Sequence, residues 1–132
     1  MEKVDLLSKR EIVTLHYLIM EKYGEGEDSG VKEEGLLESA IARPEQSAFG
    51  EEMYISLYEK SAVLFESIAR NHCFFNGNKR TALAVLDIAL QRNGYNLLQN
   101  DAVVEDFTVD VAQGKLSVEE IVRWIKEHSE RI

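Results

Sequence analysis

The 132-residue chain has one cysteine, one proline and one tryptophan, and only 15 lysines and arginines against 24 aspartates and glutamates. With Cys73 alone, no internal disulfide can form, and a packed thiol is its expected role. Pro44 is expected to stop a helix, because proline disfavours helical geometry at the residue before it, Arg43. No apolar run approaches the roughly 18 residues that would span a bilayer. The start Met1-Glu2-Lys3-Val4-Asp5 lacks a cationic segment followed by an apolar stretch, so nothing marks export and the cytoplasm is the expected location. A net charge of −9 disfavours a general nucleic-acid binder, since phosphate backbones are repelled by a carboxylate-rich surface. Neither nucleic acid nor a membrane is therefore expected as a direct partner.

What the chain does have is apolar residues at helical spacing. Hydrophobic residues make up 45% and charged residues 30%, the balance of a soluble globular protein. The length suits one domain over residues 1–132 with one compact core. Ser8-Lys9-Arg10-Glu11 is a capping box, and Ile12, Val13, Leu15, Leu18 and Ile19 follow, so a helix is expected from about Ser8 to Lys22. Gly24 to Gly30 holds three glycines and no apolar residue and reads as a mobile loop or flap. Leu36, Leu37, Ala40 and Ile41 mark a second, short helix, followed by a loop to about Glu52.

A third helical face runs from Tyr54 to Asn71. A fourth, from about Asn78 to Arg92, is apolar nearly all round and is expected to be the buried centre. Two more helices follow, near Asp101 to Gln113 and after the capping box Ser117-Val118-Glu119-Glu120. The expected fold is an all-α, compact helical bundle of about six helices with a short flap loop.

Between the third and fourth helices lies His72-Cys73-Phe74-Phe75-Asn76-Gly77-Asn78-Lys79-Arg80. One imidazole, two carboxamides, a glycine and two cations stand where a polar loop becomes an apolar-periodic helix. A helix N-terminus offers unpaired N–H groups and partial positive charge, and Lys79 and Arg80 fall in its first turn. Cations there oppose the macrodipole unless an anion compensates. The pattern therefore points to a small-anion or nucleotide site with a base beside it. An imidazole titrates near neutrality and is well matched to taking a proton from a hydroxyl nucleophile. Phosphoryl or nucleotidyl transfer then depends mainly on positioning and on stabilising spread negative charge.

These nine residues resemble the motif of Fic proteins, His-x-Phe-x-Asp/Glu-Gly-Asn-Gly-Arg. They resemble more closely that of the Doc (death-on-curing) branch, His-x-Phe-x-Asp/Asn-Gly/Ala-Asn-Lys-Arg. Glu34 to Pro44, Ala69-Arg70-Asn71 and Thr81-Ala82-Leu83 are also similar to Doc segments, in the same order. The resemblance covers essentially the whole chain and implies a Fic/Doc-type bundle.

The resemblance implies that His72 is the general base and that Phe74 anchors the loop in the core. Asn78 would orient the loop and bind phosphate oxygens, Gly77 would allow close backbone approach, and Lys79 and Arg80 would neutralise charge on the transferred group. Arg70 matches a position beside the site. Lys79 stands where adenylylating Fic enzymes carry glycine, and a cationic side chain there should narrow the anion nest. In the Doc branch this goes with transfer of a phosphoryl group from ATP, with Mg²⁺, to a Ser or Thr hydroxyl of a translation factor of the elongation factor Tu class.

Asn76 takes the place where Asp or Glu can hold Mg²⁺, and a neutral carbonyl oxygen is the poorer ligand. AMP transfer of the Fic type, or a weakly active nucleotide- or partner-binding module, are the alternatives. Self-inhibited Fic proteins carry Ser/Thr-x-x-x-Glu-Gly/Asn. Here the nearest strings, Ser29 to Glu33 and Ser47 to Glu51, are followed by Glu34 and Glu52. The resemblance then implies an inhibitor in trans, similar to the Phd antitoxins.

The remaining features have simpler readings. His16 sits among apolar residues and is expected to be a satisfied core or groove histidine, and His128 lies near a frayed C-terminus. Trp124, Tyr54 and Tyr58 read as core or groove aromatics. Glu33, Glu34, Glu51 and Glu52 read as solvated surface.

Overall fold

The computed structural model describes residues 3–98 and 100–132. Met1 and Glu2, read above for a leader, and Gln99 lie outside them. Six helices carry the fold: α1 (Lys9–Tyr23), α2 (Glu34–Ala42), α3 (Leu57–Arg70), α4 (Asn78–Arg92), α5 (Asp101–Ala112) and α6 (Val118–Glu127). Helices α1, α3 and α6 each open on a capping box, Ser8/Glu11, Ser56/Glu59 and Ser117/Glu120, in which the serine side chain accepts the third backbone N–H and the glutamate returns the bond. The Ser56 cap starts α3 three residues later than the apolar spacing from Tyr54 predicts.

Pro44 does not end α2 abruptly. A 3-10 turn, Arg43–Glu45, continues from it with Pro44 at a position where its missing N–H costs nothing. Two short antiparallel ladders, absent from the sequence reading, complete the chain. Ser47–Ala48 (β1) pairs with Glu51–Glu52 (β2) through a hairpin, and Tyr95–Leu97 (β3) pairs with Ser129–Arg131 (β4). The second ladder fixes the C-terminus: Ile132 donates to the Gly94 carbonyl at 2.8 Å. His128 stacks on Trp124 at 4.0 Å and bonds its carbonyl through Nδ1. The expected fraying at His128 is thus replaced by a paired strand.

The centre of the core is α3, and the expectation that α4 would be the buried centre is corrected. Ten consecutive α3 residues, Lys60 to Ala69, are buried, whereas α4 buries six of its fifteen. The polar residues that make α3 look amphipathic are satisfied inside. Lys60 donates to the Pro44 carbonyl at 2.9 Å and pairs with Glu45 at 3.2 Å. Glu66 takes Arg43 at 2.7 Å, and Ser67 takes the same guanidinium at 2.9 Å. Buried charges are tolerated because each is paired and hydrogen-bonded. Around this axis pack Phe65, Phe107 and Trp124 as one stacked column, with centroid spacings of 5.4 and 3.7 Å. Among the described residues no helix is long and apolar enough to cross a membrane.

Candidate functional site

The nine-residue motif joins α3 to α4, the most closely packed helix pair of the molecule, so its two ends are rigidly placed. The turn is made by His72, whose φ of 52° is left-handed. A non-glycine residue there costs roughly 1–2 kcal/mol and persists only where its surroundings impose it. The imposition is visible. Cys73 accepts at its carbonyl from the N–H groups of Lys32 (2.8 Å) and Glu33 (3.1 Å), and the Phe75 N–H donates to the Gly30 carbonyl at 3.1 Å. Val31 and Phe74 form a β-bridge between these bonds. Phe74 is buried at 1% exposure while His72 is exposed, so the loop is anchored by one side chain and presents the other.

Asn78 closes the loop from the helix side. Its Oδ1 accepts the Phe74 N–H and its Nδ2 donates to the Phe74 carbonyl, both at 3.0 Å. Gly77, at the N-cap with φ 73°, brings the backbone against α1: a Cβ there would meet Met20 Sδ at 2.6 Å. No side chain caps α4, and its first turn holds no acid. The first intrahelical donor is the Thr81 N–H, to Gly77, so the N–H groups of residues 78–80 have no partner within the helix.

A cavity of about 340 Å³ opens at this point. It is lined by His72, Phe75, Asn76, Gly77, Asn78 and Lys79, with Val109 and Ala112 of α5 and its capping residue Gln113 as the facing wall. The two arginines lie elsewhere. Of the two adjacent cations Lys79 lines the cavity, while Arg80 lies one residue, about 100°, further round the helix. Arg80 instead donates to the Tyr23 carbonyl and lines a larger groove of about 540 Å³ with Ile19, Leu83, Asp87 and Leu97. The Arg70 guanidinium lies against Gly114, where a Cβ would meet Nη2 at 2.7 Å. It complements the carbonyl end of α5.

The glycine-rich stretch 24–30 is tied to the motif. Asn76 Nδ2 donates to the Asp28 carbonyl at 2.9 Å and the Phe75 N–H to the Gly30 carbonyl, while Arg80 holds Tyr23, the residue just before the stretch. Among the described residues no group of three His, Cys, Asp or Glu side chains could hold a metal ion. Asn76 offers a carboxamide already engaged at its nitrogen, which leaves its carbonyl oxygen as the one atom of that side chain that could meet a cation.

His16 is fully buried and satisfied at both nitrogens. Nε2 accepts the Gly30 N–H at 2.9 Å, so the proton of the neutral ring is on Nδ1, which lies 3.1 Å from Thr81 Oγ1. The ring stacks on Phe74 at 3.9 Å with 11° between planes. Burial pushes its pKa below the ordinary histidine value. The wall from α5 and the roles of Thr81 and Gly30 escape sequence reading, because no local pattern places those residues beside the motif. A polar residue on the apolar face of α1 was the one available signal for His16.

A family model described as the Fic/DOC family matches residues 6–90. Over 88 residues, 67% of the chain, the sequence is 41% identical to a protein of Mycolicibacterium smegmatis named Toxin Doc. That match spans 63% of the relative's length, so somewhat under two thirds of that protein is represented. Over 120 residues, 91% of the chain and 92% of the relative, it is 33% identical to Protein kinase doc of Escherichia phage P1.

Proposed function

Because the chain belongs to the Fic/Doc family, on its Doc branch, we propose that it is a Doc-like toxin that transfers a phosphoryl group from ATP to a protein hydroxyl. The observation that carries the reading is the cavity shared by His72 and Lys79 at the uncapped start of α4. An imidazole and an anion-binding helix end in one cavity are the two parts that phosphoryl transfer to an alcohol requires.

In the proposed reaction a Ser or Thr oxygen attacks the γ-phosphorus, and its proton passes to the His72 imidazole. The new O–P bond forms as the bond to the bridging oxygen breaks, and ADP leaves. The N–H groups opening α4 and the Lys79 ammonium face the charge on the transferred group. They act in fixed positions and so need little reorganisation. Asn78, bonded twice to Phe74, keeps the loop in register. Phe74 anchors the loop, Gly77 lets the phosphates approach the backbone, and Arg70 stands against Gly114, just past the α5 wall. Mg²⁺ would enter with the nucleotide as part of the substrate.

A translation elongation factor of the Tu class is the proposed target, with the 132 residues acting as one domain and inhibiting translation in the cytoplasm. An antitoxin acting in trans, similar to the Phd proteins, is the proposed inhibitor. The missing Ser/Thr-x-x-x-Glu-Gly/Asn string supports this, and the groove beside Arg80 offers apolar surface for such a partner.

Incubation with ATP and the purified factor should add one phosphate, read by intact mass. His72→Ala should reduce the rate by about 10²–10⁴-fold with the fold intact. An added AMP would replace the kinase reading with the adenylyltransferase one. No modification from any nucleotide would leave a binding module.

A further inference from the structure

We propose that His16 is a positioning residue of the transfer reaction: by accepting the Gly30 N–H and stacking on Phe74, it holds the segment Gly30 to Glu33 against the motif loop and so keeps His72 in its left-handed turn. The inference rests on the functional reading above for the word reaction, but its geometry stands on its own.

A φ of 52° at His72 has to be imposed, and beside the two bonds from Asn78 to Phe74 the backbone pairing of the residues that follow it reaches one segment. Cys73 is held by Lys32 and Glu33, Phe74 by Val31, and Phe75 by Gly30. The segment enters this pairing at Gly30, which has φ 105° and lies so near Tyr17 that a Cβ would meet its Oη at 2.9 Å. While its carbonyl takes the Phe75 N–H, the Gly30 N–H donates to His16 Nε2, so the residue is held from both sides.

The ring is itself immobilised. Thr81 Oγ1 on α4 takes the other nitrogen, and Phe74 lies in parallel contact. One side chain on α1 thereby joins the Gly30 segment, the motif loop and α4. Packing alone would be served by phenylalanine or leucine, which bury without a desolvation penalty for ring nitrogens. A side chain with two opposed hydrogen-bonding atoms instead holds the Gly30 backbone N–H and the Thr81 hydroxyl of α4 at a set distance. His16 does not line the cavity of His72, so any effect on turnover passes through the loop.

The test compares His16→Phe, which keeps the stack and loses both hydrogen bonds, with His16→Gln, whose terminal oxygen can take the place of Nε2. His16→Phe should melt cooperatively and keep its KM for ATP within about threefold, while kcat falls about 10- to 100-fold. The Gly30 amide should lose its hydrogen-exchange protection, and the HN–Hα coupling of His72 should change. His16→Gln should recover protection at Gly30 and most of kcat. Wild-type kcat in His16→Phe, or an unchanged Gly30 amide and His72 coupling, would overturn the proposal.

Should His16→Phe not fold, Thr81→Val keeps the ring and removes its Nδ1 partner. A lower kcat at constant KM supports the role, and an unchanged kcat overturns it. If the wild-type protein transfers nothing from any nucleotide, the functional reading fails alone. The exchange and coupling measurements then decide whether His16 sets the loop.

Discussion

The Arg80 guanidinium donates to the Tyr23 carbonyl at 2.8 Å and lies 5.2 Å over the ring of the same residue. Tyr23 ends α1, where the macrodipole is negative, so a cation that is misplaced at the start of α4 is well placed at the end of α1. Lys79, one residue earlier, lines the cavity with His72 and forms no ion pair among the described residues. The two adjacent cations therefore serve different elements.

Lys79→Ala and Arg80→Ala should separate accordingly. Lys79→Ala should weaken ATP binding about tenfold with an unchanged melting temperature, the loss of one charge-assisted contact. Arg80→Ala should cost about 1 kcal/mol of stability and weaken ATP binding less. Calorimetric titration and thermal melts read both quantities, and equal losses of affinity would count against the division.

Asn76→Asp exchanges a donor for a carboxylate facing the Asp28 carbonyl. The stretch 24–30 should then loosen and become faster to nick by limited proteolysis. The added anionic oxygen should lower the Mg²⁺ concentration needed for half-maximal ATP binding. A variant with unchanged proteolysis would show that the Asn76 amide does not hold that stretch.

Asn78→Ala removes both partners of the Phe74 backbone, and Asn78→Asp retains only the acceptor. Each should destabilise the fold by about 1–3 kcal/mol, since Phe74 is left with an unpaired polar group near the core. Urea midpoints at constant slope would measure it. A near-neutral Asn78→Asp would mean that the loop is held by the Gly30 to Glu33 pairing alone.

Stability at acid pH should depend on Glu11. The Arg92 guanidinium, and after it the Ser8 N–H, hold its carboxyl at about 2, below the ordinary 4.5. A depressed carboxylate stabilises the fold above its unfolded pKa, and that contribution is lost as pH falls from 4.5 towards 2. Glu11→Gln should be less stable than wild type at neutral pH, with the difference closing across that window. A difference that stays constant down to pH 2 would exclude the linkage.

Helix ends were legible where the signal was local. Ser8 with Glu11 and Ser117 with Glu120 read directly as caps, because a capping box closes within four residues. Ser56 with Glu59 carries the same signal, but the aromatic spacing from Tyr54 competed with it and placed the start too early. The hairpin at Ser47 to Glu52 has no alternating apolar face to announce it, since its four paired residues are all exposed. The burial of α3 was hidden because Lys60 and Glu66 read as a solvated side, and only the turn at Arg43 to Glu45 explains how they are buried.

By itself the sequence determined that the chain is a helical bundle, that its motif sits between two helices and that an imidazole and two cations occur at a helix start. Periodicity and capping are short-range properties, readable from neighbours a few residues apart. Only the tertiary structure decided which cation faces the cavity, that α5 supplies its far wall and that the 24–30 stretch is tied to the motif by Asn76 and Phe75. Those outcomes depend on how helices distant in sequence cross, and on carbonyl and N–H groups whose positions no side-chain pattern encodes.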